Sequence, residues 1–303
     1  MPELKEQQLV GLASLEAATN LLQRIRIDSP TAGLWEAADR QWSWRNERST
    51  DDVPQLFWFD DAGNPQAAVI TTDTPYGFSF DPIVMPDASS DWLAHVVTRG
   101  LDYAASCGVD EVEVEVDRAG DEMRAILSSL GFAIKEDGVV EAWIAAEAIP
   151  EVSALSDGYR LSSRAENMQR QHHMTSSERN HPDPEERLRQ TSLYRPDLDL
   201  VVYDSNDAVA AYGLFWYDPA SATGLVEPMR TEDDHQKRGL ARHVLTAGLR
   251  RLVDAGLERV KICYEPDNPA ASHLYLDIGF VPHRHTDVFS GPTSPSSLAT
   301  PRA

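Results

Sequence analysis

Gly224-Leu225-Val226-Glu227-Pro228-Met229-Arg230-Thr231, then Gln236-Lys237-Arg238-Gly239-Leu240-Ala241, then Asn268-Pro269-Ala270-Ala271-Ser272-His273-Leu274-Tyr275 is the run that decides the fold. It reads as an apolar strand, a polar turn, an amphipathic helix expected over 242–252, a second strand and a short helix closed by Gly279-Phe280. A loop entering a helix offers backbone N–H groups that have no partner inside the helix, at the positive end of its dipole. That combination suits a phosphate-like anion. Gly239 lets the backbone approach a ligand, Ala241 keeps the next position small, and Lys237, Arg238 and Arg242 add positive charge. Asn268 is a good helix N-cap and Pro269 suits the first helical position, while Ala271 and Tyr275, four apart, share a face.

The pattern Q-x-x-G-x-A after an apolar strand, followed by N-x-x-A-x-x-L-Y-x-x-x-G-F, resembles the GNAT superfamily of acyl-CoA-dependent N-acyltransferases over 200–289. Departures are small: Gln236 stands where Arg is more usual, Ala241 where Gly is common, and Asp233 where Pro often sits. The resemblance implies an α/β (α+β) fold with a mixed central sheet flanked by helices. It implies acetyl-CoA as acyl donor; no metal is expected, because no cysteine or carboxylate spacing accompanies the histidines. On this pattern the main chain of Met229, Arg230 and Thr231 pairs with the pantetheine arm, and the N–H groups of Gln236 to Ala241 hold the pyrophosphate. Arg242, Asn268 and Ala271 complete the donor site. The N–H of Met229 is then the donor to the thioester oxygen, and Tyr275, a phenol near pKa 10, the proton donor to the leaving thiolate.

The base is open between two residues. Glu227 lies two positions before Met229 and so points to the same side of the strand, while Glu265 ends the next strand. Asp81 occupies the place of Glu227 in an earlier, similar segment, so an acidic residue before proline also reads as a feature of the fold. No cysteine or serine nucleophile is implied, and direct attack by an amine in a ternary complex is expected. The alternative is a non-catalytic acyl-CoA-binding sensor, which needs neither Tyr275 nor Glu227.

The chain has 303 residues, 42% hydrophobic and 25% charged, with a formal net charge of −22. Such acidity repels nucleic acid and anionic lipid, and it would favour a small cationic amine; it also keeps a protein soluble. Without a long apolar run or a secretory start, and with only Cys107 and Cys263, a cytoplasmic monomer or homodimer is expected.

The same order of elements occurs twice. Gly100/Gly248, Gly108/Gly256, Gly131/Gly279 and Phe132/Phe280 are each 148 apart, and Phe80-Asp81-Pro82 matches Val226-Glu227-Pro228 at 146. Two tandem GNAT-like domains follow, an architecture that resembles the mycothiol synthases within the family. The expected division is a degenerate domain at 1–147, a linker at 148–158, a catalytic domain at 159–289 and a disordered tail at 290–303. The first copy has Asp87-Ala88-Ser89-Ser90-Asp91 where the second has its basic turn, so it keeps the framework without the chemistry. Residues 1–28 read as a polar lead-in and a helix. Trp35, Trp42 and Trp44 suit either a core or a cleft wall, and His172, His173 and His181 a solvated polar face.

Overall fold

The computed structural model describes residues 4–177 and 182–294, so His181 lies outside the described residues. By mutual contact the chain forms two compact units. Met1–Trp35, Glu47–Val140 and Arg284–Ala303 make the first; Glu36–Asn46 and Glu141–His283 make the second. The expected ranges 1–147 and 159–289 divide the chain once, whereas the compact units exchange segments: 36–46 sits in the second and the last strand runs into the first.

In chain order the principal elements of the N-terminal half are β1 (Lys5–Leu9), α1 (Gly11–Asp28), α2 (Ala37–Ser43), β2 (Gln55–Phe59), β3 (Pro65–Thr74) and β4 (Gly77–Val84). They continue with α3 (Ser90–Ser106), β5 (Glu111–Asp117), α4 (Asp121–Ser129) and β6 (Ala133–Ala145). The polar lead-in is thus a strand, paired antiparallel with β2 from Lys5↔Phe59 to Leu9↔Gln55. Its side chains are mostly exposed, which is why no apolar pattern announces it. In the first unit, β4 pairs parallel with β5 and the β2–β3 and β3–β4 ladders are antiparallel, giving a mixed sheet. Leu56, Val69, Phe80, Val96, Leu101, Val112, Val114 and Leu127 fill its core.

The second half comprises β7 (Arg160–Ser163), α5 (His173–Ser176), α6 (Glu185–Leu188), β8 (Asp199–Tyr203), β9 (Val209–Asp218) and β10 (Thr223–Thr231). Then come α7 (Leu240–Asp254), β11 (Arg259–Tyr264), α8 (Pro269–Ile278) and β12 (Val281–Pro292). Strands run β11-β10-β9-β8-β7, antiparallel except for β10 with β11. β9 is apolar almost throughout and buried along nearly its whole length, as a central strand covered on two faces should be.

The duplication is visible element by element. β5 and α4 begin at 111 and 121, β11 and α8 at 259 and 269, both separated by 148. Gly100 and Gly248 lie where the long helix of each copy meets its sheet. A Cβ on Gly100 would come within 2.7 Å of Val69 and 2.8 Å of Phe80; one on Gly248 would fall 2.1 Å from the Phe215 ring. Close helix–sheet packing is what the repeated glycine supplies.

Two expectations need correction. β12 continues through Ser290 to Pro292, with Ser290↔Glu113 and Pro292↔Glu111 in register with β5, so the tail does not begin at Ser290. Only 295–303 lie outside the described residues there. The alternation of polar and apolar groups in Glu111 to Val116 leaves β5 needing a partner on its free edge, which β12 provides. The helix expected over 242–252 starts earlier, at Leu240, because Gly239 with φ 77° turns the chain and serves as its N-cap.

Candidate active site

The second unit holds a cavity of about 720 Å³, in the size range of small-molecule sites. Its lining brings together most of the residues the sequence singled out: Glu227, Met229, Arg230, Thr231, Gln236, Lys237, Gly239, Leu240, Ala241, Arg242, Asn268, Ala271 and Tyr275. Arg238 is the exception, since its guanidinium turns to the Asp234 carbonyl at 3.0 Å. Glu265, the rival base, is exposed and is not among the lining residues.

One wall is the edge of β10. Its parallel pairing with β11 runs only from Thr223↔Arg259 to Leu225↔Lys261, whereas its pairing with β9 resumes after a bulge at Met229↔Gly213 and continues to Thr231↔Ala211. Beyond Leu225 the ladder with β11 ends, and Glu227 to Thr231 of β10 line the cavity. The N–H of Glu232 donates to Ala210 on β9 at 2.9 Å. Because strand N–H groups alternate in direction, those of Thr231 and Met229 face the opposite, cavity-side edge. An extended ligand could add to that edge as a strand does.

The opposite end is the turn before α7. Lys237 and Gly239 both take left-handed backbone conformations, with φ 59° and 77°. Gly239 caps the 15-residue helix with no side-chain hydrogen bond, and from this turn His243 N–H donates to Gly239 O at 3.0 Å. The N–H groups of Leu240, Ala241 and Arg242 precede the helical ladder and are left for a ligand. A Cβ on Gly239 would meet nothing within 4 Å, so it would project into open space on the cavity side. The matching turn of the first unit differs: Ser89 caps α3 with its own hydroxyl, accepting from Trp92 N–H at 3.3 Å. Around the second-unit turn, Arg230, Lys237 and Arg242 put positive charge on the lining of a strongly acidic chain. These features fit a diphosphate and the extended arm of an acyl-CoA, whose chemistry is an acyl group carried on a thioester.

Tyr275 lies between the two walls. Asn268 caps α8, accepting from Ala271 N–H at 3.1 Å, and Pro269 begins the helix, which orients the tyrosine on its inner face. Its ring packs against Tyr264 at 5.8 Å and Phe280 at 6.1 Å between centroids. Burial, with the charges of Cys263 and Glu227, pushes its phenol up to about 12. Glu227 sits across the cavity, its carbonyl held by Trp216 Nε1–H at 2.9 Å. Removal from water, reinforced by the neighbouring Asp39, pushes its carboxyl up to about 8, against the opposing pull of Arg45 and Lys261.

Trp42, Arg45 and Asn46, from α2 and the residues after it, also line the cavity; of these, sequence reasoning offered only Trp42, as core or cleft wall. Gln41 bonds Ser192 Oγ and the Leu193 N–H, both at 2.8 Å, and Trp44 Nε1 donates to Gln190 at 2.9 Å. These bonds fasten the segment to the second unit. The sequence carried no signal for it: with Val260 and Ile262 buried, alternation predicts a wet Lys261, yet Lys261 is only 1% exposed. A buried lysine demands carboxylate partners.

The histidines also depart from expectation. His172 and His173 are buried, not solvated, and gather on Asp199. Burial works against the Asp199 charge, but the two imidazoles outweigh it and hold its carboxyl below the usual range. Tyr194 Oη donates to the same carboxylate at 2.9 Å. Met174 N–H donates to His172 Nδ1 at 3.2 Å, so Nε2, 3.1 Å from Asp199, carries the hydrogen. That tautomer suits a hydrogen-bonded carboxylate. The His173 ring lies tilted, 5.3 Å from that of Tyr212, a cavity-lining residue, so this network backs the cavity wall.

Residues 166–280 match the model of the acetyltransferase (GNAT) family. A solved tandem GNAT protein from the clavulanic acid biosynthesis pathway superposes with a TM-score of 0.71 at 14% identity, covering 97% of this chain and 100% of that one. Residues 166–280 thus match the GNAT family, and the whole chain shares the fold of a tandem GNAT protein. A GCN5-related N-acetyltransferase from Sphaerobacter thermophilus shares the fold at TM-score 0.57, with 15% identity over 97% of this chain and 96% of that one. By sequence, a mycothiol acetyltransferase of Tsukamurella paurometabola is 41% identical over 69 residues, 22% of this chain and 24% of the relative. One from Beutenbergia cavernae is 30% identical over 89 residues, 29% of this chain and 30% of the relative. The matched stretch therefore spans less than a third of either curated relative. Among the described residues no helix is long and apolar enough to cross a membrane.

Proposed function

We propose that this GNAT protein is an N-acetyltransferase that moves an acetyl group from acetyl-CoA to the primary amine of a small molecule, in the second unit and by direct attack. The observation that carries the reading is convergence: the N-terminus of α7, which no side chain caps, the edge of β10 beyond its ladder with β11, Glu227 and Tyr275 line one cavity. The turn from Gln236 to Arg242 binds the diphosphate, and the Met229–Thr231 edge aligns the pantetheine arm. Met229 N–H donates to the thioester oxygen and stabilises the negative charge that grows there.

Glu227 and Tyr275 divide the proton work. Glu227 takes a proton from the attacking ammonium, the new N–C bond forms as the C–S bond breaks, and Tyr275 gives its proton to the departing sulfur. Glu227 passes that first proton to solvent and takes the second from the nitrogen as it is acylated, returning it through solvent to the phenolate, so ammonium and thioester become amide and free thiol with one proton released to solvent. Two groups whose environments set them apart, near 8 and near 12, suit a base and an acid respectively. The localisation expected from composition, cytoplasmic, accords with this use of acetyl-CoA.

The test is a panel of primary amines incubated with acetyl-CoA, read by free-thiol release and by the 42-Da mass gain of the amide, about the mass of an added acetyl in place of hydrogen. Amine-dependent thiol release with matching acetylated product is the expected result. Tight acetyl-CoA binding with no amine-dependent release across the panel would favour an acyl-CoA sensor instead.

A further inference from the structure

The acyl donor, placed as proposed, takes the Gln236–Arg242 turn, the Met229–Thr231 edge and the face of α8, and this leaves one wall of the cavity unused. That wall is built by Trp42, Arg45 and Asn46 from α2 and the residues after it, Met174 on α5, Pro184 at the start of α6 and Tyr212 on β9. Its body is apolar and aromatic, and among the described residues on it Arg45 is the one charged side chain. The guanidinium lies over the Trp42 ring, with Cζ 3.5 Å from the ring centroid, and Nη1 donates to Trp42 O at 2.9 Å. Trp42 is itself buried, and the Gln41 and Trp44 bonds fasten the segment that carries it, so the platform is fixed. A guanidinium held over an aromatic face turns its N–H fork sideways, in the plane where arginine takes a carboxylate through paired bonds. Glu227 lines the same cavity. One space therefore offers a carboxyl group to an ammonium and, from a different segment, an oriented cation.

We infer that the acceptor is a zwitterion, a primary amine that also bears a carboxylate and an apolar side chain, as an apolar α-amino acid does, and that Arg45 on its Trp42 platform binds the carboxylate. The inference deepens the acetyltransferase reading and rests on it. The ammonium goes to Glu227, the carboxylate to Arg45, and the side chain packs on Met174, Pro184 and Tyr212. Arg45 thus sets specificity and takes no part in bond making. A chain of net charge −22 gives a carboxylate no general attraction, so its recognition has to be local.

The test sets leucine, methionine and phenylalanine against the carboxamide and the decarboxylated amine of each, in acetyl-CoA-dependent thiol release. The wild-type protein should prefer the carboxylate member in kcat/KM by at least about tenfold, the worth of a hydrogen bond to a charged group, and Arg45→Gln should bring that ratio near one, chiefly by raising KM. Losing Arg45 also removes its downward pull on the Glu227 carboxyl, but that change meets every member of a set and cancels in the ratio. No preference in the wild type, or a ratio unchanged in Arg45→Gln because all members fall together, overturns the inference. So does a loss of coenzyme A affinity in Arg45→Gln, which would put the guanidinium on the donor. A second readout needs no chemistry: calorimetric titration of the same amino acids into protein saturated with coenzyme A should show binding that Arg45→Gln abolishes. If no amine releases thiol yet the amino acids bind through Arg45, acetyl transfer fails and the carboxylate site stands. If the decarboxylated amines are acetylated as fast as the amino acids, acetyl transfer stands and the zwitterion fails.

Discussion

Replacing Tyr275 by Phe removes one hydroxyl and leaves the ring. The ring contacts with Tyr264 at 5.8 Å and Phe280 at 6.1 Å need no oxygen, so packing survives. The fold should lose no more than about 1 kcal/mol, the net worth of a single hydrogen bond. The chemical step should suffer far more. A positioned general acid contributes about 10²- to 10⁴-fold, which corresponds to roughly 2.7–5.5 kcal/mol of barrier. With a phenol held up to about 12, Tyr275 carries its proton throughout the neutral range, so the loss should be the same at every workable pH. The assay is steady-state thiol release at saturating acetyl-CoA, paired with calorimetric titration of the donor. The expected outcome is a fall in kcat of at least about a hundredfold with donor affinity changed less than about threefold. A kcat within about threefold of wild type would refute the general-acid role, and a parallel loss of donor affinity would show that the hydroxyl serves binding instead.

Gly239→Glu puts a side chain and a negative charge where a Cβ now meets open space, and it strains a φ of 77°. Donor affinity by calorimetry should fall at least about a hundredfold, with Tm little changed; retained affinity would place the diphosphate elsewhere. Gly248→Ala sets a methyl 2.1 Å from the Phe215 ring and should cost about 1–3 kcal/mol in denaturant unfolding; an unchanged midpoint would mean the helix shifts freely. Turnover should rise with pH through a limb near 8 as Glu227 ionises, and a limb in the ordinary carboxylate range would remove Glu227 as base. The same elevation makes Glu227 favour the folded state most below its unfolded value, a contribution lost as pH rises through about 8, and Glu227→Gln should flatten that slope in thermal melts. His173 runs the other way: burial lowers its pKa, so stability should decline as pH falls below about 6.5, and His173→Gln should abolish that decline.

Local pattern carried the duplicated framework because each copy repeats the same punctuation. Gly100 and Gly248 mark the closest helix–sheet approach, and Asn268-Pro269 marks the start of α8. The cavity lining was legible for the same reason: the strand edge, the turn and the short helix are consecutive in the chain. What stayed hidden depends on distance along it. Asp39 and Lys261 are 222 residues apart, and no helical or strand period links them. The histidines sit in a charged run that resembles a solvated face, and only the return of β8 places Asp199 between them. β12 was missed past Ser290 because its reason to be ordered, the waiting edge of β5, lies in another part of the sequence.

The most direct measurement is a crystal structure of the protein with coenzyme A. The expected density puts the diphosphate against the N–H groups of Gly239 to Ala241 and the sulfur near the Tyr275 hydroxyl and the Met229 N–H. Coenzyme A bound anywhere else, with that cavity closed by protein side chains, would contradict the proposed site and the chemistry built on it.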